Sequence, residues 1–220
     1  MVGFKELKSN SVDLTLTDIP YDGVNRDDGG LRTLDKGKAD IITFDLEEFL
    51  KQVDRVTKGT IIIFCGMGQI STIYNYFAEK KGTVRLLIWE KNNPSPMNGQ
   101  HIYLSGIETA VWFKKSGATF NAKCKNTVFR HNSGMSKEHP TEKPTKLLQE
   151  LIMDNSKPGD LVFDPCFGSG STLESAKRTG RDYLGFELNE QYFNIGKKRL
   201  EKKYIILRKL WYSDRVHKRS

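Results

Sequence analysis

Two short motifs in this chain hold the residue types that chemistry on a planar amine would need. Asp18-Ile19-Pro20-Tyr21, the 18–21 motif, offers a carboxylate, a backbone carbonyl and an aromatic ring side by side. Residues 163–172, the 163–172 motif, read Phe-Asp-Pro-Cys-Phe-Gly-Ser-Gly-Ser-Thr. Each motif follows an apolar, β-rich run, so both are predicted to lie at the carboxyl ends of strands.

The 163–172 motif has the pattern of a ligand-binding turn between a strand and a helix. Gly168 and Gly170 allow the backbone to approach a ligand closely, and the start of the following helix supplies free N–H groups. Glu187 closes the next predicted strand, 23 residues after Asp164, and an acid there suits the hydroxyls of a ribose. With the Asp-Pro pair before the glycines, the pattern favours S-adenosylmethionine as the ligand.

Each motif also has a simpler interpretation. A dinucleotide site would place a third glycine at position 173, which is Leu173 here, and a lone Gly-x-Gly can be a structural turn without a ligand. The 18–21 motif alone could be a β-turn that follows a strand. The presence of both motifs in one chain favours a joint catalytic and cofactor site.

Strand and helix patterns alternate around these motifs. The predicted strands are 12–19, 60–65, 84–90, 109–114, 161–163 and 183–187. The predicted helices are 44–57, 69–81, 143–156, 171–179 and 189–203. Such alternation predicts an α/β fold with a mostly parallel central sheet and helices on both faces.

Length and composition restrict the class of protein. A chain of 220 residues can bury one full core, so a single domain over 1–220 is expected. No apolar run approaches the roughly 20 residues that a membrane helix needs, and no signal-peptide pattern is present. The three cysteines are widely spaced, which argues against a disulfide framework or a metal site. We therefore expect a cytoplasmic protein with no membrane association and no metal.

The net charge of +8 is concentrated in two segments. Residues 114–146 hold eight Lys or Arg and two acids, and residues 197–220 hold ten and two. Two basic segments on a mildly acidic body indicate a polyanionic partner, although a solvated surface and a basic tail would give the same pattern.

Three stretches interrupt or follow the alternating pattern. Residues 22–43 are rich in Gly and Asp and are predicted to form a mobile functional loop. Residues 116–140 are basic and rich in turn formers, and residues 204–220 form a basic C-terminal tail.

The motifs and their order resemble those of the β-class DNA amino-methyltransferases, which methylate exocyclic nitrogens. The 18–21 motif resembles their Asp-Pro-Pro-Tyr catalytic motif, and the 163–172 motif resembles their Asp-Pro-Phe-x-Gly-Ser-Gly-Thr cofactor motif. Residues 141–144, Thr-Glu-Lys-Pro, and residues 89–96 also resemble family segments. The catalytic motif comes first, so the resemblance implies a Rossmann-like S-adenosylmethionine-dependent methyltransferase fold in circularly permuted motif order.

The resemblance implies roles for the 18–21 motif. Asp18 and the carbonyl of Ile19 would accept the two hydrogens of the target amine, which favours a pyramidal nitrogen with its lone pair aimed at the methyl group. Tyr21 would stack on a base flipped out of the duplex, and its ring rather than its hydroxyl is expected to matter. Ile19 stands where the family has a proline. The implied catalytic residues are Asp18, Ile19, Pro20 and Tyr21.

The resemblance also implies the cofactor site. Asp164, Gly168 and Gly170 would surround the methionine end, and Glu187 would hold the ribose hydroxyls. Cys166 stands where the family has Phe, and it is expected to pack rather than act as a nucleophile. The implied cofactor-binding residues are Thr141, Lys143, Asp164, Pro165, Cys166, Gly168, Ser169, Gly170 and Glu187.

DNA is the implied partner, and the segment 116–140 takes the place of the family's target-recognition region. Its shortness indicates a short or relaxed target site, or help from a second subunit in a homodimer. Its candidate nucleic-acid contacts are Lys123, Lys125, Arg130 and His131.

The implied reaction is methyl transfer from S-adenosylmethionine to adenine N6 in DNA, because Asp at the head of the catalytic motif is commoner in adenine-N6 enzymes. Cytosine N4 is the alternative target. A degenerate methyltransferase fold that only binds nucleic acid is the alternative from another class, and RNA or protein amide substrates are less favoured.

Overall fold

A computed structural model describes residues 3–21, 45–96, 99–133 and 142–201 of the chain. The predicted mobile loop 22–43 and basic tail 204–220 lie outside the described residues. Among the helices that are described, none is long and apolar enough to cross a membrane.

The described residues form seven strands and five α-helices. The strands are β1 (Val12–Asp18), β2 (Thr57–Cys65), β3 (Gly82–Lys91), β4 (Ile107–Lys115), β5 (Val128–His131), β6 (Leu161–Asp164) and β7 (Asp182–Gly185). The helices are α1 (Leu46–Val56), α2 (Ile70–Ala78), α3 (Thr145–Asn155), α4 (Ser171–Arg178) and α5 (Glu190–Glu201).

All seven strands belong to one sheet with the order β5-β3-β4-β2-β1-β6-β7. The pairs β1–β2, β1–β6, β6–β7 and β3–β5 are parallel, and β4 is antiparallel to both of its neighbours. The predicted α/β fold with a mostly parallel sheet is confirmed. Because β4 runs against the other strands, it begins at the edge of the sheet where β1, β2, β3 and β6 end, here called the carboxyl edge.

Side chains alternate along the central strands, so each face of the sheet has its own core. On β2, Ile61 and Ile63 pack in one core with residues of α1 and α2. Ile62 and Phe64 pack in the other core with residues of α3. All four side chains are buried, and helices cover both faces as predicted.

Local sequence sets the bounds of the helix that leads into β2. The Asp45 side chain caps α1 by accepting hydrogen bonds from the backbone N–H groups of Glu47, at 2.9 Å, and Glu48, at 3.3 Å. The helix ends at Val56 because Thr57 is extended and begins β2. The strand that follows lies in the centre of the sheet, where it pairs with β1 and β4.

Strand β5 was not predicted from the sequence. It lies inside the segment 116–140, and its four residues, Val-Phe-Arg-His, are too short and too polar to show a period of two. Pairing with β3 through Trp89 and Phe129 stabilises it at the edge of the sheet. The predicted recognition segment 116–140 is therefore partly a strand. Strand β7 ends at Gly185, so Glu187 lies two residues beyond it rather than at its end.

Candidate active site

Asp18 ends β1 at the carboxyl edge of the sheet, and its two carboxylate oxygens have different surroundings. Oδ2 accepts a hydrogen bond from the Lys143 ammonium at 2.6 Å. Oδ1 is buried and has no partner among the described residues, although the side chain as a whole is 34% exposed. Burial raises the pKa of Asp18 above 3.8, and the charge of Lys143 offsets only part of this effect. One oxygen is thus held, and the other can accept a new donor.

Lys143 is a buried ammonium group that joins three acceptors. It donates to Asp18 Oδ2 at 2.6 Å, to Glu108 Oε2 at 2.8 Å and to the Tyr21 hydroxyl at 3.1 Å. Its side chain is only 6% exposed. Burial alone would lower the pKa of Lys143, but the charges of Asp18 and Glu108 raise it. Pro144 disfavours helical backbone at the residue before it, so Lys143 precedes α3 and reaches back to β1.

The Tyr21 hydroxyl takes part in the same cluster, which the sequence did not predict. It donates to Glu108 Oε2 at 3.2 Å and accepts from Lys143. The Lys143 ammonium also lies 5.4 Å from the centre of the Tyr21 ring. Burial raises the hydroxyl pKa well above 10.0, and the charges of Asp18 and Glu108 raise it further. The hydroxyl therefore fixes the orientation of the ring and stays protonated.

Ile19 and Pro20 are held from β2 and from the turn that follows it. The N–H of Ile19 donates to the Phe64 carbonyl at 3.1 Å, and its side chain is buried in the core. This explains the tolerance of isoleucine where the family has proline, because the additional N–H extends the β1–β2 pairing. The Gln69 amide donates to the Pro20 carbonyl at 3.0 Å and accepts from the N–H of Gly66 at 2.9 Å.

Asp164 ends β6, beside β1, and its carboxylate is buried. Its Oδ1 accepts hydrogen bonds from the Thr17 hydroxyl at 2.7 Å and from the Cys166 N–H at 3.0 Å. Burial raises the pKa of Asp164 from 3.8 to about 7, because it outweighs these hydrogen bonds. The 163–172 motif is thus anchored to the strand that carries Asp18, and its carboxyl group titrates near neutral pH.

The turn of the 163–172 motif depends on glycine. Gly168 and Gly170 have φ angles of 52° and 83°, which lie in the left-handed region that favours glycine. A Cβ on Gly170 would also lie 3.1 Å from the Cα of Gly196 in α5. The N–H of Gly168 donates to Glu187 Oε2 at 2.9 Å, and the N–H of Asn189 donates to Oε1 at 2.7 Å. Burial raises the pKa of Glu187, and these N–H groups oppose the rise.

Arg199 is a half-buried positioning group that the sequence did not reveal, because it was counted with the basic segment 197–220. Its guanidinium donates to the carbonyl of Ser169 at 3.0 Å and to the Ser169 hydroxyl at 3.2 Å. It also pairs with Glu142 at 2.5 Å and with Glu174 at 3.0 Å. Arg199 therefore ties the 163–172 motif to α4, to α5 and to the segment before α3.

Neither cysteine near the site has the properties of a nucleophile. Burial raises the pKa of the Cys166 thiol well above 9.0, and the charge of Asp164 raises it further. Burial raises the pKa of the Cys65 thiol to about 12. Both thiols stay protonated near neutral pH, which agrees with the expectation that Cys166 packs rather than acts as a nucleophile. No group of three His, Cys, Asp or Glu among the described residues could hold a metal ion.

Two of the predicted nucleic-acid contacts are engaged with helix α3. Lys125 pairs with Glu150 at 2.7 Å and with Asp154 at 2.5 Å. His131 Nε2 lies 2.6 Å from Glu150 Oε2. These contacts hold β5 and the preceding turn against α3, so both side chains have a structural role in the described fold.

The other two predicted contacts are more exposed. Arg130 pairs with Glu90 at 3.1 Å, and its side chain is 66% exposed. Because β5 is parallel to β3, Arg130 lies near the carboxyl edge, whereas Lys123 precedes β5 and lies farther from it. Of the predicted contacts, Arg130 is both exposed and near the carboxyl edge. Thr141, which was predicted to bind the cofactor, lies outside the described residues.

The arrangement brings two functions to one edge of the sheet. Asp18, Tyr21 and Lys143 form a polar cluster in which Asp18 Oδ1 is an unfilled acceptor. Next to it, Asp164, Glu187 and a glycine turn form a cradle of carboxyl groups and backbone. Carboxylate acceptors of this kind fit a ligand that carries cationic centres and a ribose diol, as S-adenosylmethionine does.

Known proteins have sequences similar to that of this chain. Residues 12–198 match the N6_N4_Mtase family, described as DNA methylase. The chain is 28% identical over 230 residues to the type II methyltransferase M2.DpnII of Streptococcus pneumoniae, which covers 89% of this chain and 85% of the relative. It is also 31% identical over 235 residues to the type II methyltransferase M.HinfI of Haemophilus influenzae. That aligned region covers 89% of this chain and 65% of the relative.

The fold matches that of a solved structure. The M1.HpyAVI–SAM complex superposes with a TM-score of 0.68 and 29% identity, over 89% of this chain and 90% of the other. The family match includes both strands of the site and both motifs that lie on them. On this basis the chain belongs to the N6_N4_Mtase family of DNA methylases.

Proposed function

We propose that the chain transfers a methyl group from S-adenosylmethionine to N6 of an adenine flipped out of duplex DNA. The observation that carries the proposal is the buried, unpartnered Oδ1 of Asp18, which lies one strand away from the turn of the 163–172 motif. Family membership and the type II methyltransferases M2.DpnII and M.HinfI support the reaction class. The M1.HpyAVI–SAM complex supports the cofactor.

We assign the cofactor to the cradle beside β6. Backbone at Gly168, Ser169 and Gly170 would line it closely, and Pro165 and Cys166 would form its floor. Asp164 would lie against the methionine end, with Lys143 close to it, and Glu187 would accept from the ribose hydroxyls. When bound, S-adenosylmethionine supplies a methyl group on a positively charged sulfur, which is a good leaving group.

We assign the target amine to Asp18 and the Ile19 carbonyl. Each would accept one N–H of adenine N6, so that the nitrogen lone pair points toward the methyl group. The new N–C bond forms as the C–S bond breaks, with the C–S electron pair leaving on sulfur. N6 then loses a proton, which Asp18 can accept because burial has raised its pKa. Tyr21 would stack on the base, and no covalent nucleophile is needed.

Nucleoside analysis of DNA tests this proposal. DNA from cells that express the chain is expected to contain N6-methyladenine, and DNA from cells that express Asp18→Ala is expected to lack it. The variant should bind S-adenosylmethionine within about threefold of the unchanged protein, since Asp18 faces the amine. Detection of N4-methylcytosine instead of N6-methyladenine would show that the target is cytosine N4. Cofactor and DNA binding without either product would indicate a protein that only binds nucleic acid.

We further propose that the enzyme works in the cytoplasm and that a homodimer supplements the short recognition segment 116–140. Sedimentation of the protein with and without duplex DNA would test the dimer. A single monomeric species in both conditions, with full activity, would contradict it.

A further inference from the structure

Four charged side chains of alternating sign meet at the carboxyl edge, and each comes from a different element. Lys91 ends β3, Glu108 lies at the start of β4, Lys143 precedes α3 and Asp18 ends β1. Lys91 Nζ lies 2.8 Å from Glu108 Oε1, and Lys143 Nζ lies 2.8 Å from Glu108 Oε2. The last contact of this series joins Lys143 Nζ to Asp18 Oδ2, at 2.6 Å. We call this the 91–108–143–18 charge chain.

Glu108 lies between the two lysines, each of which pairs with one of its carboxylate oxygens, and it is well shielded. Its side chain is 21% exposed, and the side chains of Lys91 and Lys143 are 17% and 6% exposed. Burial alone would raise the pKa of Glu108, but the ammonium groups of Lys143 and Lys91 lower it below 4.5. Glu108 is therefore ionised, and both of its oxygens are occupied.

We propose that Glu108 is a positioning residue that holds the Lys143 ammonium and the Tyr21 hydroxyl so that Asp18 presents only Oδ1 to the target amine. This inference rests on the proposed function, because it takes Asp18 as the acceptor of the amine. It adds Glu108, and Lys91 behind it, to the residues on which methyl transfer depends.

The geometry of an ammonium group explains why a second carboxylate is needed. Lys143 has three N–H donors, and its three acceptors are Asp18, Glu108 and Tyr21. With Glu108 and Tyr21 in place, one N–H remains for Asp18, and it is directed at Oδ2. Without Glu108, the ammonium could shift to bridge both oxygens of Asp18, and Oδ1 would lose its free position.

Charge gives Glu108 a second effect on Asp18. Among the described residues, the titratable groups that face Asp18 are Lys143, Tyr21, Glu108, the thiols of Cys65 and Cys166, and the Asp164 carboxyl of β6. The positive charge of Lys143 favours the ionised form of Asp18, but it also makes the Asp18 carboxylate a weaker hydrogen-bond acceptor. The negative charge of Glu108 compensates for the ammonium, so Asp18 remains a strong acceptor for the amine protons.

Titration of Asp18 in two variants tests the charge effect without any turnover. The carboxyl carbon resonance of Asp18, assigned by comparison with Asp18→Asn, is followed against pH in protein without cofactor or DNA. Glu108→Gln should lower the pKa of Asp18 by about one unit, because a nearby negative charge is removed. Lys143→Met should raise it by about one unit or more, because the compensating positive charge is removed. Glu48→Gln on α1 is the matched control and should leave the pKa unchanged.

Turnover tests the positioning effect in the full enzyme. Glu108→Gln should lower kcat by about 10- to 100-fold, the loss expected when a reacting group is misplaced, while the Kd for S-adenosylmethionine measured by calorimetry stays unchanged. The acidic limb of the kcat/KM profile should move to lower pH in Glu108→Gln and to higher pH in Lys143→Met. Glu108→Asp keeps the charge but shortens the reach, so its limb should stay in place while kcat falls.

Two results would overturn the inference. One is unchanged turnover in Glu108→Gln, or in Glu108→Asp if the Gln variant does not fold. The other is a loss of turnover that is equal at all pH values with no movement of the Asp18 pKa, which would make Glu108 merely structural. Failure of the proposed function is separate, because the unchanged protein would then methylate no DNA while the Asp18 titrations would still be readable.

Discussion

The Thr17 hydroxyl donates a hydrogen bond of 2.7 Å to Asp164 Oδ1, between residues 147 positions apart in the sequence. Thr17 is adjacent to Asp18 on β1, and Asp164 ends β6, which pairs with β1 in parallel. This bond fixes the catalytic candidate relative to the cofactor candidate. Both residues are buried, so the bond is part of the fold.

Asp164 should make stability depend on pH. Its pKa is raised from 3.8 to about 7 by burial, so the folded protein binds this proton more tightly than the unfolded chain. The carboxyl group therefore lowers the free energy of unfolding as pH rises from about 4 to about 7, by at most about 4 kcal/mol. The side chain of Asp164→Asn cannot ionise. The free energy of unfolding of this variant, relative to the unchanged protein, should therefore increase from about pH 4 to about pH 7 and stay constant above about pH 7. Urea unfolding at a series of pH values measures the difference, and a constant difference would contradict the assignment.

Tyr21→Phe should be more harmful than a stacking role alone implies. The variant loses the hydrogen bonds to Glu108 and Lys143, so the single-turnover rate is expected to fall about 10-fold. Tyr21→Ala should lose a further 1–3 kcal/mol, roughly the value of a base–aromatic stack. Equal rates for Tyr21→Phe and the unchanged protein would show that only the ring of Tyr21, and not its hydroxyl, contributes to methyl transfer.

Arg199→Met should weaken cofactor binding from a position on α5. The guanidinium holds the carbonyl and hydroxyl of Ser169, and its loss releases the turn of the 163–172 motif. We expect the Kd for S-adenosylmethionine to rise about 10-fold in calorimetry. Lys197→Met, on the same helix with a surface pair to Glu201, is the control and should bind normally. Equal Kd values for both variants would show that the turn holds its shape without Arg199.

Substitution of Arg130 should weaken DNA binding, whereas substitution of Lys125 should lower the stability of the fold. Arg130→Gln removes an exposed cation near the carboxyl edge, so the slope of log affinity against log salt should become shallower by about 0.9 for duplex DNA. Lys125→Gln breaks two ion pairs to α3 and should cost about 1 kcal/mol of stability with no change in the slope. A slope change for Lys125→Gln and none for Arg130→Gln would show that Lys125, and not Arg130, contacts DNA.

The sequence predicted the parts of the site that follow from strand ends. Asp18 and Asp164 each come directly after an apolar run, and the carboxyl ends of parallel strands share one edge. The alternation of helix and strand patterns then predicted which edge of the sheet would hold both motifs. The two glycines of the turn were recognisable because they stand one residue apart between a predicted strand and a predicted helix.

Glu108 and Arg199 could not be predicted in the same way. Glu108 starts a strand, and only the antiparallel direction of β4 brings a strand start to the carboxyl edge. Arg199 lies among other basic residues of the sequence, and its burial depends on how α5 packs against the turn. Strand β5 gave no periodic signal because its stability comes from pairing with β3.

The pairing of β1 with β6 joins segments from opposite ends of the chain. A cut between residues 133 and 142 would leave Asp18 on one polypeptide, and Lys143 and Asp164 on the other. Neither piece would hold a complete site, and the site would form again only when β6 regains its place beside β1. The fold is therefore suited to a split enzyme: two fragments fused to a pair of interacting proteins would write a lasting mark on DNA only after that pair had met.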